Sequence, residues 1–290
     1  MKHIGVLIYT YDRVDDAKIN MEIVRNVWGT NEYFRHVTIV HAFNGEKEWY
    51  PNAYLEDELV TMKNSWHFQG ASDLIDAGMQ VFVEKYPDID YVVVLAADTW
   101  LIDPSYVQGV VSKMEQGDSY IATCTWGLPD RNEINIMGMA VDFCIVDLRW
   151  ARQYNMFPIQ YGEFYKKYGE LFLYQRGENV MLEKLMYARY LQALNREDNF
   201  GGVARKRGIE KMLMLTERES IHSHSDEKGF LHRNMYWPEM GLLTHHDPAP
   251  KKEILKVRNI AAGANVQKLL QSDDLSYYNG GTTQLEHNCN

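Results

Sequence analysis

A single carboxylate, Asp98, follows the most apolar stretch of the sequence and is the first candidate for chemistry. The run from Tyr91 to Ala97 consists mostly of β-branched and small apolar residues, which is typical of a strand buried on both faces of a parallel sheet. Asp103 and Pro104 follow and predict a helix with an aspartate N-cap and a proline at its first position. Asp98 is therefore predicted at the carboxyl end of a central strand, where open α/β sheets bind ligands. The alternative is that Asp98 only caps a turn.

Three consecutive cations, Arg205, Lys206 and Arg207, are flanked by glycines. We predict a flexible segment here, able to close as a lid over a diphosphate through arginine or lysine contacts. A solvated charged loop without a ligand is the alternative interpretation.

A further acidic residue, Glu178, is predicted at the start of a helix that covers roughly residues 178–194. Met181, Leu182 and Leu185 follow it at the i+3, i+4 and i+7 positions. Glu178 therefore shares the apolar face of the helix and is expected to point inward. An inward glutamate at a helix start needs a partner or a role, and a capping or helix-dipole role is the simpler alternative.

The elements that must position these residues alternate between strands and helices over the first half of the chain. This order predicts an α/β fold with a mostly parallel sheet covered by helices on both faces. Helices are predicted after the first, third and fourth strands. The predicted strands cover residues 4–9, 37–42, 59–62, the run from residue 91, and 120–125.

After about residue 126 the pattern becomes less regular. Residues 138–146 predict one more strand, and residues 147–154 predict a short helix. An aromatic segment covers residues 161–175, and its helical spacing favours a buried helix face over a sugar-stacking surface. From residue 195 the sequence is polar, with clusters of histidine and basic residues, and no element is predicted there. The aromatic residues at helical spacing are Tyr161, Tyr165, Tyr168 and Phe172.

Composition restricts the classes of partner. The chain has 290 residues, 46% of them hydrophobic, and a formal net charge of −10, which argues against broad electrostatic binding to nucleic acid or to anionic membranes. Its three cysteines are odd in number and lack CxxC spacing, which favours a reducing compartment. Without an apparent signal peptide or membrane-spanning run, we expect a cytoplasmic protein, or one peripheral to a membrane if its acceptor is lipid-linked.

Three segments of the chain resemble the GT-A fold of nucleotide-sugar-dependent glycosyltransferases, over roughly residues 3–195. The first resembles the family's opening loop against the nucleotide, the second its glycine-containing helix start, and the third the strand end that carries an Asp-x-Asp motif. In this sequence they read Tyr9-Thr10-Tyr11-Asp12-Arg13, His67-Phe68-Gln69-Gly70-Ala71-Ser72-Asp73 with Gly78, and Leu95-Ala96-Ala97-Asp98-Thr99-Trp100.

The resemblance implies transfer of a sugar, of hexosyltransferase type, from a UDP- or GDP-linked donor to an acceptor hydroxyl on a glycan, a glycolipid or a small molecule. Residues 1–126 would form the donor-binding half, and residues 127–290 the acceptor-binding and C-terminal part of the same domain. Arg205 and Arg207 would join the donor site if their segment closes as a lid. The other implied donor-binding residues are Thr10, Tyr11, Asp12, Arg13, Asn44, Gly70, Asp73, Ala97 and Asp98.

One departure from the family motif concerns the metal ion. The motif has two carboxylates that hold a divalent ion against the diphosphate, and Ala96 stands at the first position here. With one carboxylate left, we expect Mn²⁺ or Mg²⁺ to be held weakly by Asp98, phosphate oxygens and a late histidine, either His245 or His246. In the alternative, no metal is needed and cationic side chains stabilise the departing diphosphate.

The resemblance also gives Glu178 a role. Gly177-Glu178-Asn179 resembles the acidic pair that opens the acceptor-side helix in inverting members of the family, with Asn179 in place of the second acid. Glu178 would then be the general base that deprotonates the acceptor hydroxyl. Asp130 and Asp142 are lesser candidates for that base.

Two other functions remain open. A non-catalytic nucleotide-sugar-binding protein of the same fold is the first, and the alanine at position 96 is the observation in its favour. A sugar-phosphate nucleotidyltransferase is the second, but that class needs a glycine-rich phosphate loop after the first strand. The segment from Thr10 to Arg13 lacks those glycines.

Overall fold

The computed structural model describes residues 2–10, 14–34, 36–45, 55–63, 67–101, 104–123, 138–172, 182–215, 219–225, 231–237 and 242–245. The helices are α1 (Val14–Asn26), α2 (His67–Lys85), α3 (Pro104–Gly117), α4 (Leu148–Gln153), α5 (Tyr161–Phe172), α6 (Leu182–Asn195) and α7 (Gly202–Glu210). The strands are β1 (Ile4–Thr10), β2 (Thr38–Asn44), β3 (Glu58–Met62), β4 (Tyr91–Ala96), β5 (Thr99–Leu101), β6 (Ile121–Thr123), β7 (Phe143–Asp147), β8 (Met212–Met214), β9 (Glu219–Ser225), β10 (Leu231–Trp237) and β11 (Leu242–His245).

Seven strands form one sheet in the order β3-β2-β1-β4-β7-β6-β8. All neighbours pair in parallel except β7, which runs antiparallel to both β4 and β6. The prediction of a mostly parallel α/β sheet is confirmed. From β1 the chain adds β2 and β3 on one side and then returns to place β4 on the other, so the strand order reverses between β1 and β4. Such a reversal opens a crevice at the carboxyl ends of the two strands.

The central strand β4 separates the two halves of the hydrophobic core. All six of its residues are buried, and they alternate between the faces because successive side chains of a strand point in opposite directions. Tyr91, Val93 and Leu95 pack in the cluster that α1 and α3 cover. Val92 and Val94 pack in the cluster that α2, α4, α5 and α6 cover. Burial on both faces explains why the sequence of β4 is apolar throughout.

Helix α2 lies unusually close to β1. A Cβ atom added at Gly78 would lie 2.2 Å from Leu7 Cδ1, and one added at Gly5 would lie 2.4 Å from Phe82 Cε1. Leu7 and Phe82 are fully buried, so neither side chain has free space to move into. The two glycines therefore set the distance between helix and sheet.

Replacing Gly78 with Ala should destabilise the chain by about 1–2 kcal/mol, because overpacking costs about 1–3 kcal/mol and alanine returns up to about 1 kcal/mol of helix propensity. Gly109, inside α3, is the matched control, since an added Cβ there meets no atom within 4 Å. Gly109→Ala should stabilise the chain by up to about 1 kcal/mol. Urea unfolding of the two variants should give shifts of opposite sign. An equal stabilisation in both would contradict the close approach of α2 to β1.

The second half of the chain contains more regular structure than its sequence predicted. The predicted strand at residues 138–146 begins only at Phe143 in the structure. The predicted short helix is confirmed as α4, where Asp147 Oδ1 accepts hydrogen bonds from the backbone N–H groups of Arg149 and Trp150 at 2.9 and 3.0 Å. The aromatic segment is the helix α5. Of its predicted buried face, Tyr161 and Tyr168 are buried and Tyr165 is half-buried, and Phe164, outside that spacing, is buried as well.

The prediction of a flexible segment around the three cations is wrong, because these residues lie in α7. The reason lies in Gly208, whose backbone packs directly on α6. An added Cβ there would lie 2.4 Å from Leu191 Cδ2, and the Tyr190 hydroxyl donates a 2.9 Å hydrogen bond to the Gly208 carbonyl. At this position glycine allows close helix packing instead of flexibility.

The strands β5, β11, β10 and β9, in that order, form a second, antiparallel sheet. Three of these strands lie beyond residue 195, where the sequence predicted no strand. The short strand β5 directly follows Asp98, so this second sheet begins beside the carboxyl end of β4. No helix in the described ranges is both long and apolar enough to cross a membrane.

Candidate active site

Asp98 lies in the turn between β4 and β5 and is partly exposed. The backbone N–H of Ala97 donates to the carbonyl of Tyr9 at 3.0 Å, and the N–H of Ala96 donates to the carbonyl of Asp142 at 3.0 Å. These two bonds tie together the carboxyl ends of β1 and β4 and the residue before β7. The polar side chains of three elements therefore meet at one edge of the sheet.

Two side chains fix the turn that carries Asp98. Asn20 of α1 is fully buried, and its Nδ2 donates to the carbonyls of Ala96 at 3.2 Å and Thr99 at 2.8 Å. The indole N–H of Trp100 donates to the carbonyl of Ala97 at 3.2 Å. The turn is thus held through its own backbone by the side chains of Asn20 and Trp100.

The charges of three carboxylates act on the hydroxyl of Tyr9. Burial raises the pKa of this hydroxyl well above its ordinary value, and the negative charges of Asp142, Asp98 and Glu183 raise it further. Tyr9 is accordingly a neutral O–H donor at all physiological pH values. We call Tyr9, Asp98, Asp142 and Glu183 the carboxylate cluster.

Glu183, which the sequence did not single out, lies in the first turn of α6. Its Oε2 atom is buried and has no hydrogen-bond partner among the described residues, and burial raises the pKa of its carboxyl group. Met186, Tyr187 and Tyr190, at i+3, i+4 and i+7, are all buried. The spacing that predicted an inward Glu178 therefore also applies to Glu183 and could have found it. Glu178 itself lies outside the described residues.

Asp142, a lesser candidate from the sequence, is 7% exposed and directly precedes β7. Together with burial, its charge raises the pKa of the Cys144 thiol, so this cysteine stays protonated. A negative charge that approaches the carboxylate cluster would be repelled by it unless a cation accompanies that charge.

Of the predicted donor-binding residues at the ends of β1 and β2, Thr10 is buried and Asn44 is partly exposed. Thr10 is fully buried, and its Oγ1 lies 2.7 Å from Nε2 of His41. Burial lowers the pKa of His41 to about 3, so the pair is neutral and fixes the end of β1 against β2. Asn44 is the last residue of β2 and is partly exposed at the same edge of the sheet. Tyr11, Asp12 and Arg13 lie outside the described residues.

The other predicted donor-binding residues lie on two helices. Gly70 is buried in the first turn of α2, and Asp73 follows one turn later, partly exposed. Arg205 and Arg207 are on α7, which packs on α6 beside the edge strand β8. Arg207 is exposed, whereas Arg205 is half-buried beside Tyr187, and burial lowers the pKa of its guanidinium. The described contacts of Arg205 are thus with α6 and not with Asp98.

The second sheet includes β11, whose last residue is the predicted metal ligand His245. In the antiparallel pairing of β11 with β5, Leu243 lies opposite Trp100 and Thr244 opposite Thr99. The strand that ends at His245 therefore pairs with the strand that directly follows Asp98. His246 lies outside the described residues. Among the side chains that the structure describes, no three His, Cys, Asp or Glu residues form a cluster able to hold a metal ion.

Fold and site together define an α/β protein with a carboxylate cluster at the point where the strand order of its sheet reverses. No family model and no curated protein matches the chain. Solved structures of glycosyltransferases superpose on it at low identity. The galactosyltransferase LgtC in complex with donor and acceptor sugar analogs matches over 89% of this chain and 95% of that chain, with 11% identity and a TM-score of 0.46.

Two further structures are similar. An active-site mutant of LgtC matches over 73% of this chain and 72% of that chain, with 13% identity and a TM-score of 0.45. The glycosyltransferase GlyE of Streptococcus pneumoniae TIGR4 matches over 74% of this chain and 45% of that chain, with 10% identity and a TM-score of 0.41. Likeness at this level does not decide an activity, which has to be inferred from the residues of the site.

Proposed function

We propose that this chain is a glycosyltransferase that moves a sugar, as a hexosyltransferase does, from a nucleoside-diphosphate sugar to an acceptor hydroxyl. The observation that carries the proposal is the carboxylate cluster, which lies where β1 and β4 end and the strand order reverses. Crevices at such reversals are where open α/β sheets bind nucleotides. The described parts of the three sequence segments that resemble the GT-A fold include the end of β1, the start of α2 and the end of β4.

The donor is proposed to lie across the carboxyl ends of β1, β2 and β4. Its UDP or GDP moiety would contact the loop that follows Thr10, with Asn44 and the start of α2 beside it. Asp98 would face the diphosphate from the turn after β4. The hydrogen bonds of Asn20 and Trp100 hold that turn in place before the donor binds, so little of the binding energy is spent on ordering it.

We propose that the site takes a divalent ion that is shared with the donor. Asp98 and His245 would hold Mn²⁺ or Mg²⁺, and oxygens of the diphosphate would complete its ligands. Such an ion neutralises the charge of the leaving diphosphate. Asp98 alone would bring a carboxylate against a diphosphate without compensation. Because the protein supplies few ligands, we propose that the ion binds appreciably only together with the donor.

Glu183 is proposed as the general base, with Glu178 as the alternative in the same role. A buried carboxyl whose pKa is raised holds protons more firmly and suits proton transfer near neutral pH. The base would take the proton of the acceptor hydroxyl as its oxygen bonds to the anomeric carbon. The bond from that carbon to the diphosphate oxygen breaks, and its electron pair leaves with the diphosphate. Tyr9, as a neutral donor, can bond to a sugar hydroxyl or to a diphosphate oxygen.

The test is a donor panel. UDP, GDP and their common sugar conjugates are titrated calorimetrically with and without Mn²⁺, and release of the nucleoside diphosphate is then followed with a panel of acceptors. We expect one conjugate to bind in the presence of Mn²⁺ and to be turned over. Binding without turnover of any donor would favour the non-catalytic alternative, which the alanine at position 96 supports. No binding of any nucleotide would contradict the proposal itself.

Chelation should separate the two ways of stabilising the diphosphate. In excess EDTA we expect transfer to fall at least about tenfold, since such an ion contributes several kcal/mol to the transition state, and to recover with Mn²⁺. The measurement is the initial rate of nucleoside-diphosphate release. Full activity in EDTA, combined with loss of activity in Arg205→Ala or Arg207→Ala, would contradict the role of the metal ion. It would assign stabilisation of the diphosphate to the cations of α7.

A further inference from the structure

Two buried polar groups where α6 packs on α7 have no hydrogen-bond partner among the described residues. Tyr187 of α6 is 2% exposed, and its hydroxyl is one of them. The other is Nη1 of Arg205, which lies on α7 beside Tyr187. Buried polar groups in folded proteins are nearly always paired, so an unpaired one calls for an explanation such as a ligand.

Arg205 differs from the other half-buried arginines that the structure describes. Arg25, Arg152 and Arg189 each donate to at least two backbone carbonyls and so hold separate segments of the chain together. The guanidinium of Arg205 has the same five donors, but its side chain bonds to no carbonyl of the described residues. A structural role of that kind therefore does not account for Arg205.

Tyr190, three positions further along α6, is the internal comparison for Tyr187. The Tyr190 hydroxyl donates to the carbonyl of Gly208 at 2.9 Å. The Tyr187 hydroxyl lies 3.6 Å from the position of a Cβ atom added at Gly208, so it faces α7 as well, but it has no acceptor there. Burial raises the pKa of Tyr187 to about 12, although the charge of Arg205 lowers it. The hydroxyl therefore keeps its proton at neutral pH and can donate it in a hydrogen bond.

A guanidinium and a phenol that both lack an acceptor suit an anionic group with several oxygens. Arginine stays charged in proteins, and its planar fork binds carboxylate and phosphate oxygens through two parallel hydrogen bonds. The hydroxyl of Tyr187 adds a further donor. Arg205 is only half-buried, which leaves part of its side chain in contact with solvent.

The pair lies one helical turn from the proposed base. Glu183 and Tyr187 are four positions apart on α6, so their side chains share a face, with Cβ atoms about 5–6 Å apart. We propose that Arg205 and Tyr187 bind an oxyanion, a carboxylate or a phosphate group, that belongs to the acceptor. The assignment to the acceptor rests on the proposed function, whereas the anion site itself does not.

The first experiment measures anion binding to the full chain without nucleotide. Urea unfolding is followed at constant ionic strength in chloride, in acetate and in inorganic phosphate. We expect acetate or phosphate to raise the midpoint, because a ligand of the folded state stabilises it, and the more effective of the two identifies the group. Tyr187→Phe and Arg205→Gln should each weaken that binding at least about tenfold, since a hydrogen bond to a charged group contributes at least that much.

Two controls make the same chemical changes elsewhere. Tyr190→Phe removes an internal hydrogen bond, so it should lower the midpoint in chloride and keep the response to the anion. Tyr187→Phe should not lower the midpoint in chloride, because its hydroxyl has no such bond to lose. Arg196→Gln, at an exposed residue after α6, removes the same charge as Arg205→Gln and should keep the response.

The second experiment tests the assignment to the acceptor. Initial rates of transfer are compared for neutral acceptors and for acceptors that carry a carboxylate or a phosphate. We expect Tyr187→Phe to raise KM for the anionic acceptor at least about tenfold and to leave the affinity for the donor unchanged.

The outcomes separate this proposal from the proposed function. No stabilisation by either anion, or equal stabilisation of the unmodified chain and both variants, would overturn the anion site. Transfer to neutral acceptors alone, or a loss of donor affinity in Tyr187→Phe, would overturn its assignment to the acceptor. If acetate or phosphate binds as expected but no acceptor is turned over, the proposed function fails and the anion site stands.

Discussion

Asp98→Asn should lower the rate of sugar transfer by about 10²–10³-fold, the loss typical when one preorganised electrostatic group is removed from a reacting centre. The amide has the shape of the carboxylate but no charge, so it cannot neutralise a divalent ion beside the diphosphate. We expect the free energy of unfolding to stay within about 1 kcal/mol of its original value. The reason is that the turn is held by the Asn20 side chain and by backbone bonds to Tyr9 and Asp142.

The control for this variant lies at the other end of the same strand. Asp88 is exposed just before β4, at the edge of the sheet away from the site, so Asp88→Asn makes the same chemical change without altering transfer. Both variants are assayed for nucleoside-diphosphate release and for urea unfolding. If Asp98→Asn transfers sugar as fast as the unmodified chain, Asp98 has no part in the mechanism.

Glu183→Gln should lower kcat by about 10²–10⁴-fold, the usual contribution of a general acid or base, with little change in KM. The matched control is Glu163→Gln. Glu163 likewise lies in the first turn of its helix, α5, but its side chain is 73% exposed and pairs with Lys166. Its replacement should leave kcat unchanged. Full activity in Glu183→Gln would exclude Glu183 as the base and make Glu178→Gln the next variant to test.

The dependence on pH distinguishes a base from a merely structural glutamate. Burial raises the pKa of Glu183 in the folded chain, so the active, ionised form is lost as pH falls through that raised value. The residual activity of Glu183→Gln should lack this acidic limb. The folded state also holds the proton more firmly than the unfolded state. The contribution of Glu183 to stability is therefore fully present below the ordinary pKa of glutamate and is lost as pH rises through the raised pKa. Glu183→Gln should not show that loss.

Local sequence predicted the elements that carry Asp98 because their signals are local. An apolar, β-branched run identifies a strand buried on both faces, and a proline at a first helical position identifies where the next helix begins. The periodicity of α5 and the short helix α4 were recognisable for the same reason. Each signal depends on residues within a few positions of one another, and the structure confirms each of them.

Residues brought together from distant parts of the chain were predicted less well. Asp142 comes close to Tyr9 and Asp98 because β7 pairs antiparallel with β4. Glu183 joins them because α6 begins beside Met139, whose N–H donates to the carbonyl of Glu183. The glycines around the three cations predicted a flexible segment, although Gly208 allows the close packing of α7 on α6. A glycine has the same sequence signal in either case, and only the neighbouring helix distinguishes the two.

By itself, the sequence determined that an α/β sheet exists and that Asp98 ends one of its central strands, because burial and helix capping act over short distances along the chain. The tertiary structure decided which polar groups share the site. The pairing of β11 with β5 brings the strand that ends at His245 beside the strand that follows Asp98, and the pairing of β7 with β4 brings Asp142 to the end of β4. Such pairings follow from hydrogen bonds and packing between strands far apart in sequence, which local patterns in the sequence do not reveal.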